Sequence, residues 1–256
     1  MTSAWRTAAL LVALFGPLAV LPLLPAIPQD AQYHALADTR TLFGVPNFLN
    51  VASNLAFLAV GVIGLAACLR GRAEGARASW TIFFAGTTLV AFGSGYYHWA
   101  PSNAALLWDR LPMTIAFMAL FAALVSEHLG ERLQPAVLPA AVAAGLFSVV
   151  WWGYTDDLRL YAWVQFAPLL AIILLLAAFP ARYSRRAYLA YGLLFYVLAK
   201  VAESADVGIA TITSGAVSGH TVKHLLAALA PLSIYLMLRA RKPLPQPASA
   251  ATISDA

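Results

Sequence analysis

Five polar residues lie inside or at the edges of apolar segments, and their types are those of a hydrolytic metal site. Ser94 and His98 are four residues apart, Asp109 follows eleven residues later, and His220 and His224 are again four residues apart. Side chains at i and i+4 share one face of a helix, so each pair would point in one direction. Polar residues are unfavourable in lipid, which favours a functional role over chance.

Three imidazoles can form a catalytic metal site. Two histidines at i,i+4 can chelate one ion, and a third from a neighbouring helix leaves the fourth position of Zn²⁺ to water. Zinc lowers the pKa of such a water to about 7 and polarises a carbonyl group. We therefore expect Zn²⁺ at His98, His220 and His224. Asp109 would accept or orient the water's proton, and Ser94 would hydrogen-bond the developing oxyanion.

The same residues also have purely structural interpretations. His220 and His224 could pack a helix interface through hydrogen bonds. Asp109 could be a charge at a helix N-terminus, where the helix dipole favours it. Ser94 lies between two glycines, and small residues of this kind let membrane helices approach closely.

Two further residues, Tyr97 and Glu203, are candidates for lining a substrate cleft. Glu203 could instead form an i,i+3 pair with Lys200 within one helix. His34 and His128 are expected to be ordinary loop residues.

The composition is that of a membrane protein. Of the 256 residues, 61% are hydrophobic and 11% are charged, whereas soluble domains carry about 25% charged residues. The net charge of +5 does not indicate a nucleic-acid partner, because the cations lie in short loops and near the C-terminus, where topology signals occur. The single cysteine, Cys68, excludes an internal disulfide and a cysteine-rich zinc site. No obligate protein partner is evident.

Eight apolar segments are long enough, or nearly so, to cross a bilayer as helices. They occupy residues 5–27, 47–70, 79–99, 109–127, 135–153, 160–179, 186–206 and 218–239. We predict an all-α polytopic membrane protein with a seven-helix core and one extra N-terminal helix. Residues 1–30 would be a transmembrane helix or signal anchor, 31–240 the membrane domain, and 241–256 a disordered cytoplasmic tail. Residues 1–27 resemble a signal peptide too, although their length and prolines favour an uncleaved helix.

The loop charges predict the orientation of these helices. Arginines follow the second, sixth and eighth segments, whereas aspartates lie in the alternate connections. The positive-inside rule places the arginine loops and the C-terminus in the cytoplasm. We expect the protein to lie in the inner membrane of a bacterium. The third segment then runs outward and the eighth inward, so the five polar residues would share one depth near the outer face.

The pattern Ser94-x₃-His98, Asp109 and His220-x₃-His224 resembles the alkaline ceramidase family. This family belongs to a superfamily of seven-helix membrane hydrolases with the adiponectin receptors, progestin receptors and haemolysin III-like proteins. The resemblance spans residues 33–240 and includes the segment Asn-Phe-Leu-Asn-Val-Ala-Ser-Asn-Leu at 47–55. It implies a zinc-dependent amide hydrolase of lipid metabolism that cleaves a ceramide-like sphingolipid into a long-chain base and a fatty acid.

The chain departs from the family in two respects. The first helix is additional to the family's seven. Animal members also carry an acidic, calcium-binding stretch before their first core helix, where this chain has Asn47 in place of an acid. Calcium regulation is therefore not among our expectations.

Two other classes of function stay open on the sequence alone. One is a membrane receptor or sensor of the adiponectin-receptor type that retains the metal site. The other is a proton or metal transporter that uses the histidines as a relay. Transporters usually have broken helices at the bilayer midplane and internal repeats, whereas the predicted site is near one surface and no repeat is visible.

Overall fold

The structure, a computed structural model, describes residues 2–245, and this part of the chain is built from α-helices. They are α1 (Thr2–Val20), α2 (Phe48–Ala52), α3 (Leu55–Leu69), α4 (Arg77–Trp99), α5 (Asn103–Leu129), α6 (Gln134–Thr155), α7 (Arg159–Ala178), α8 (Ala187–Ser204), α9 (Asp206–Ile212) and α10 (Gly219–Ala240). Between residues 2 and 245 only two isolated β-bridges occur and no sheet forms. The predicted all-α membrane fold is confirmed. Most of the predicted tail, from residue 246 onward, lies outside the described residues.

Six segments of the described chain are long and apolar enough to cross a membrane. They are Ala4–Leu23, Phe48–Leu69, Asn103–Leu129, Glu131–Thr155, Arg159–Ala178 and Gly219–Ala240. The two remaining long helices, α4 and α8, match the third and seventh predicted segments but are too polar to qualify by composition. Both pack within the bundle, α4 against α3 and α5, and α8 against α10.

One helix boundary differs from the prediction in a way that matters for the site. Helix α5 begins at Asn103 rather than near residue 109, because Ser102 caps it by accepting the Ala105 N–H at 3.2 Å. Asp109 therefore lies inside the helix, beyond its first turn, and not at its start. Since the dipole effect fades within the first turn, the interpretation of Asp109 as an N-terminal helix charge does not apply.

The extra N-terminal helix is part of the packed bundle. Leu10 and Leu14 of α1 are 2% and 1% exposed and belong to the main core. The indole N–H of Trp163 in α7 donates to the Leu14 carbonyl at 2.8 Å. Helix α1 ends at Val20, short of the predicted residue 27, as the chain enters a proline-containing 3₁₀ turn.

Residues 21–37, which we call the strap, run from α1 across one end of the bundle. The Arg159 guanidinium donates to the Leu21 carbonyl at 2.7 Å, near the start of the strap. At its far end the Ala37 N–H donates to Asp206 Oδ2 at 2.9 Å. The strap is thus tied by hydrogen bonds to the start of α7 and to the start of α9.

The opposite end of the bundle gathers the four connections predicted to be cytoplasmic. Arg241 of the C-terminal end donates to the Glu74 carbonyl in the α3–α4 connection. Tyr183 of the α7–α8 connection donates to Glu131, just after α5, at 2.8 Å. These contacts join connections that the sequence assigns to one and the same end. Which end faces the cytoplasm stays a prediction.

Candidate active site

The three predicted histidines meet inside the bundle. His98 comes from the last turn of α4, and His220 and His224 come from the first two turns of α10. The ring centroid of His98 lies 4.6 Å from that of His220 and 4.7 Å from that of His224. One ligand atom from each histidine lies within 4.8 Å of the others, and all three side chains are buried.

The donor set fits a metal ion. Three neutral imidazoles with nearby ring nitrogens are the ligands that catalytic zinc uses in proteins. His98 Nδ1 is buried and has no hydrogen-bond partner among residues 2–245, which is unfavourable unless a further group binds it. His220 Nε2 lies 3.3 Å from Lys223 Nζ, within hydrogen-bond distance of the ammonium group.

Ser53 at the end of α2 fixes the ring of His224. The Ser53 hydroxyl donates to the Asn50 carbonyl at 3.1 Å, and its oxygen lies 2.8 Å from His224 Nδ1. A serine hydroxyl has a single proton, so here it must accept from Nδ1–H. The Nε2 lone pair of His224 is then the one available to a metal ion. Sequence reasoning noted this segment as a family likeness but missed this role.

A second set of hydrogen bonds holds the start of α10. Asn50 is fully buried, and its Oδ1 accepts from Ser218 Oγ at 3.1 Å and from Thr221 Oγ1 at 2.8 Å. Asp206 Oδ1 accepts the backbone N–H of His220 at 2.7 Å. Because these partners come from α2 and α9, they fix the depth and rotation of the helix that carries two of the histidines.

Ser94 and Asp109 are brought together across the contact of α4 with α5. The Ser94 and Asp109 side chains line the same cavity, where the Ser94 hydroxyl lies near the Asp109 carboxylate. Both residues are buried, at 3% and 7% exposed. Gly93 makes the approach possible, since a Cβ there would lie 2.2 Å from the Trp108 carbonyl oxygen. The close helix packing that the small residues predict is therefore present, and it places Ser94 near Asp109.

A cavity of about 350 Å³ connects the polar residues to the apolar interior of the bundle. Its polar lining includes Ser94, Asp109 and His224. The rest is largely apolar, and includes Phe57, Phe83, Val90, Met113, Phe117, Leu120, Ile172, Leu189, Leu193 and Ile234. The cavity is thus a mainly apolar chamber with a polar group of residues that includes one of the three histidines.

Glu203 lines this cavity as the centre of an ion-pair cluster. Its predicted i,i+3 pair with Lys200 forms, and Lys223 of α10 pairs with the same carboxylate. The Tyr33 hydroxyl of the strap donates to Glu203 Oε1 at 3.2 Å. Sequence reasoning missed Lys223, although its place between His220 and His224 was a visible signal.

Tyr97, the other residue considered for the substrate cleft, lies outside the cavity lining. Its side chain is 1% exposed, and its hydroxyl lies 3.0 Å from His34 Nδ1 in the strap. His34 Nε2 in turn lies 2.9 Å from Asn103 Oδ1. Tyr97 therefore anchors the strap instead of lining the cleft, because its position on α4 turns it toward the strap and α5.

Comparison with known proteins identifies the family of the chain. Residues 44–204, more than half of the chain, match the model of the Ceramidase family. The matched region contains Ser94, His98 and Asp109, and it ends before α10. No curated protein is significantly similar to the chain. The match and the membrane-spanning helices together show that the chain belongs to the ceramidase family, the membrane hydrolases that act on the amide bond of ceramide.

Proposed function

We propose that the chain is a zinc-dependent hydrolase that uses water to cleave the N-acyl bond of ceramide-like membrane lipids to a long-chain base and a fatty acid. The observation that carries the proposal is the convergence of His98, His220 and His224 beside a cavity that also contains Ser94 and Asp109. Family membership supports the reaction class and the lipid substrate.

The three histidines would hold the zinc ion, with His224 offering Nε2 because its Nδ1 donates to Ser53. When bound, zinc supplies a water molecule with a pKa of about 7 and polarises the amide carbonyl. Burial of all three side chains keeps bulk water away from the ligands.

Asp109 would carry out the proton transfers, and Ser94 would stabilise the charge that develops on the carbonyl oxygen. Asp109 accepts the proton of the attacking water, and it later returns it to the nitrogen of the leaving amine. In the resting site the Ser94 hydroxyl would donate a hydrogen bond to the Asp109 carboxylate. Once Asp109 is protonated it is neutral, so its hydrogen bond from Ser94 becomes weaker. The Ser94 hydroxyl can then donate instead to the oxyanion that forms on the carbonyl.

The shape of the cavity supports a lipid with at least one long chain. Its apolar walls come from α4, α5, α7, α8 and α10, and its polar residues include Ser94, Asp109 and His224. An acyl chain that fills the apolar part would place its amide beside those polar residues.

The proposal is tested by measuring zinc content and fatty-acid release from a ceramide for the wild type and for His220→Ala. We expect the substitution to abolish both. His128→Ala is the matched control, since His128 caps the Leu124 carbonyl of its own helix and lies outside the histidine cluster. A wild-type protein that holds zinc but releases no fatty acid from any N-acyl lipid would refute the proposal.

A second variant separates metal binding from proton transfer. Asp109→Asn should keep its zinc, because Asp109 is not a member of the histidine cluster. Its turnover should fall by about 10²–10⁴-fold, the usual contribution of a general base. Turnover within threefold of the wild type would remove Asp109 from the mechanism.

A further inference from the structure

Arg110 is a buried cation in the cavity wall with an incomplete set of partners. The residue is 5% exposed and lines the cavity next to Asp109 in sequence. Its Nη2 donates to Gln29 Oε1 of the strap at 2.6 Å. Its Nη1 is buried without a hydrogen-bond partner anywhere in residues 2–245. None of the ion pairs in that part of the chain includes Arg110.

Aromatic rings hold the Arg110 guanidinium in place. Its Cζ lies 4.0 Å from the centroid of Trp152 and 4.6 Å from that of Tyr161, with Tyr33 of the strap at 6.0 Å. Ring faces stabilise a cation, but they do not accept the in-plane N–H bonds of a guanidinium. The Arg110 guanidinium is therefore fixed in orientation, and its Nη1 is available to donate to a ligand in the cavity.

The charges of the cavity lining favour an anionic ligand. Its charged residues are three cations, Arg110, Lys200 and Lys223, and two carboxylates, Asp109 and Glu203. Both lysines pair with Glu203, and Asp109 forms no ion pair within residues 2–245. Arg110 is the cation without a carboxylate of its own. A buried charge of this kind is unfavourable unless it is paired and hydrogen-bonded.

We propose that Arg110 forms a subsite for an oxyanion on the head group of the lipid, so that the preferred substrates are acidic N-acyl lipids related to ceramide. A phosphate or a carboxylate would accept from Nη1 and would neutralise the guanidinium. The inference rests on the proposed hydrolytic function, because Asp109 of the reaction and Arg110 line the same cavity.

The test compares kcat/KM for three substrates with the same acyl chain: ceramide, ceramide 1-phosphate and an N-acylserine. We expect the wild type to prefer at least one acidic substrate to ceramide, and the two acidic substrates show which oxyanion is bound. Arg110→Gln should reduce that preference by tenfold or more. A ratio of substrates is the appropriate readout, since a merely structural role of Arg110 would lower the turnover of all three equally.

Arg70→Gln is the charge-matched control, because Arg70 is exposed in the α3–α4 connection at the other end of the bundle. It should leave the preference unchanged. Ceramide hydrolysis with an equal preference in wild type and Arg110→Gln would overturn the subsite and leave the proposed function intact. Failure to hydrolyse any of the three substrates would overturn both.

Inhibition of the wild type keeps the proposal testable if Arg110→Gln does not fold. Hexadecyl phosphate carries the oxyanion and a long chain but no amide, and hexadecanol lacks the charge. The phosphate should inhibit ceramide hydrolysis at a concentration at least tenfold lower than the alcohol does. Equal inhibition by the two compounds would contradict an oxyanion subsite.

Discussion

The Ser53 hydroxyl oxygen lies 2.8 Å from Nδ1 of His224, a residue 171 positions further along the chain. This bond joins the end of α2 to the helix that supplies two of the three histidines. It also decides which nitrogen of His224 can bind a metal ion, because the hydroxyl proton is already donated to Asn50. Groups that orient metal-bound histidines in this way contribute to metal affinity almost as directly as the ligands do.

Ser53→Ala is therefore expected to weaken zinc binding by about 10- to 100-fold, the usual effect of removing such a partner. Competition with a chelator of known affinity measures the loss. Ser126→Ala is a matched control, since the Ser126 hydroxyl is also buried but has no hydrogen-bond partner in residues 2–245. Equal zinc affinity in the two variants would show that Ser53 does not orient His224.

The ion pair of Glu127 with Arg241 should dominate stability at the other end of the bundle. Both residues are buried, and Glu127 Oε1 also accepts from the indole of Trp80 at 2.7 Å. Glu127→Gln leaves the arginine without its counter-charge, so the free energy of unfolding should fall by about 3–5 kcal/mol. Thermal or denaturant unfolding in detergent measures this loss.

A double variant distinguishes the pair from its surroundings. Glu127→Gln combined with Arg241→Met should be less destabilised than the sum of the two single variants, because no unpaired buried charge remains. Additive losses would mean that the two side chains act independently.

Attachment of the strap should depend on pH through Asp157. Hydrogen bonds from Arg159 lower the pKa of this carboxyl group from its ordinary 3.8 to about 2. Because the folded-state pKa is the lower one, the stabilisation is complete above about pH 4 and is lost as the pH falls toward 2. Asp157 also accepts the backbone N–H of Ile27 in the strap, so protonation should release this part of the strap.

Amide hydrogen exchange of residues 24–30, corrected for the intrinsic effect of pH, measures this release. Exchange should be constant between pH 7 and about 4 and should accelerate below that. Asp157→Asn should exchange rapidly over the whole range. If amide exchange in the wild type already accelerates above pH 5, then a titrating group other than Asp157 releases the strap.

The sequence predicts those features that depend on local composition and periodicity. Hydropathy and loop charges predict eight helices and their alternation, and i,i+4 spacing predicts that Ser94 with His98, and His220 with His224, each share a face. Helix ends are harder, and α5 begins earlier than hydropathy suggests because Ser102 is a polar cap. The ion pair of Lys223 with Glu203 depends on which helices are neighbours in the bundle. A local sequence pattern does not carry that information.

The two glycines that flank Ser94 should respond oppositely to the same substitution. A Cβ at Gly93 would lie 2.2 Å from the Trp108 carbonyl oxygen, whereas a Cβ at Gly95 would meet nothing within 4 Å. Gly93→Ala must push α5 away from α4 and so separate Ser94 from Asp109. We expect it to lower both the unfolding midpoint and ceramide turnover, the latter by tenfold or more.

Gly95→Ala is the matched control for this prediction, since it adds the same methyl group to the same helix two residues further on. Alanine favours a helix over glycine by about 1 kcal/mol, so the unfolding midpoint should stay level or rise. Turnover should be unchanged. If Gly93→Ala retains wild-type turnover while its midpoint falls, the approach of α4 to α5 stabilises the bundle without positioning Ser94 against Asp109. The proposed cooperation of these two residues in the reaction would then lose its structural basis.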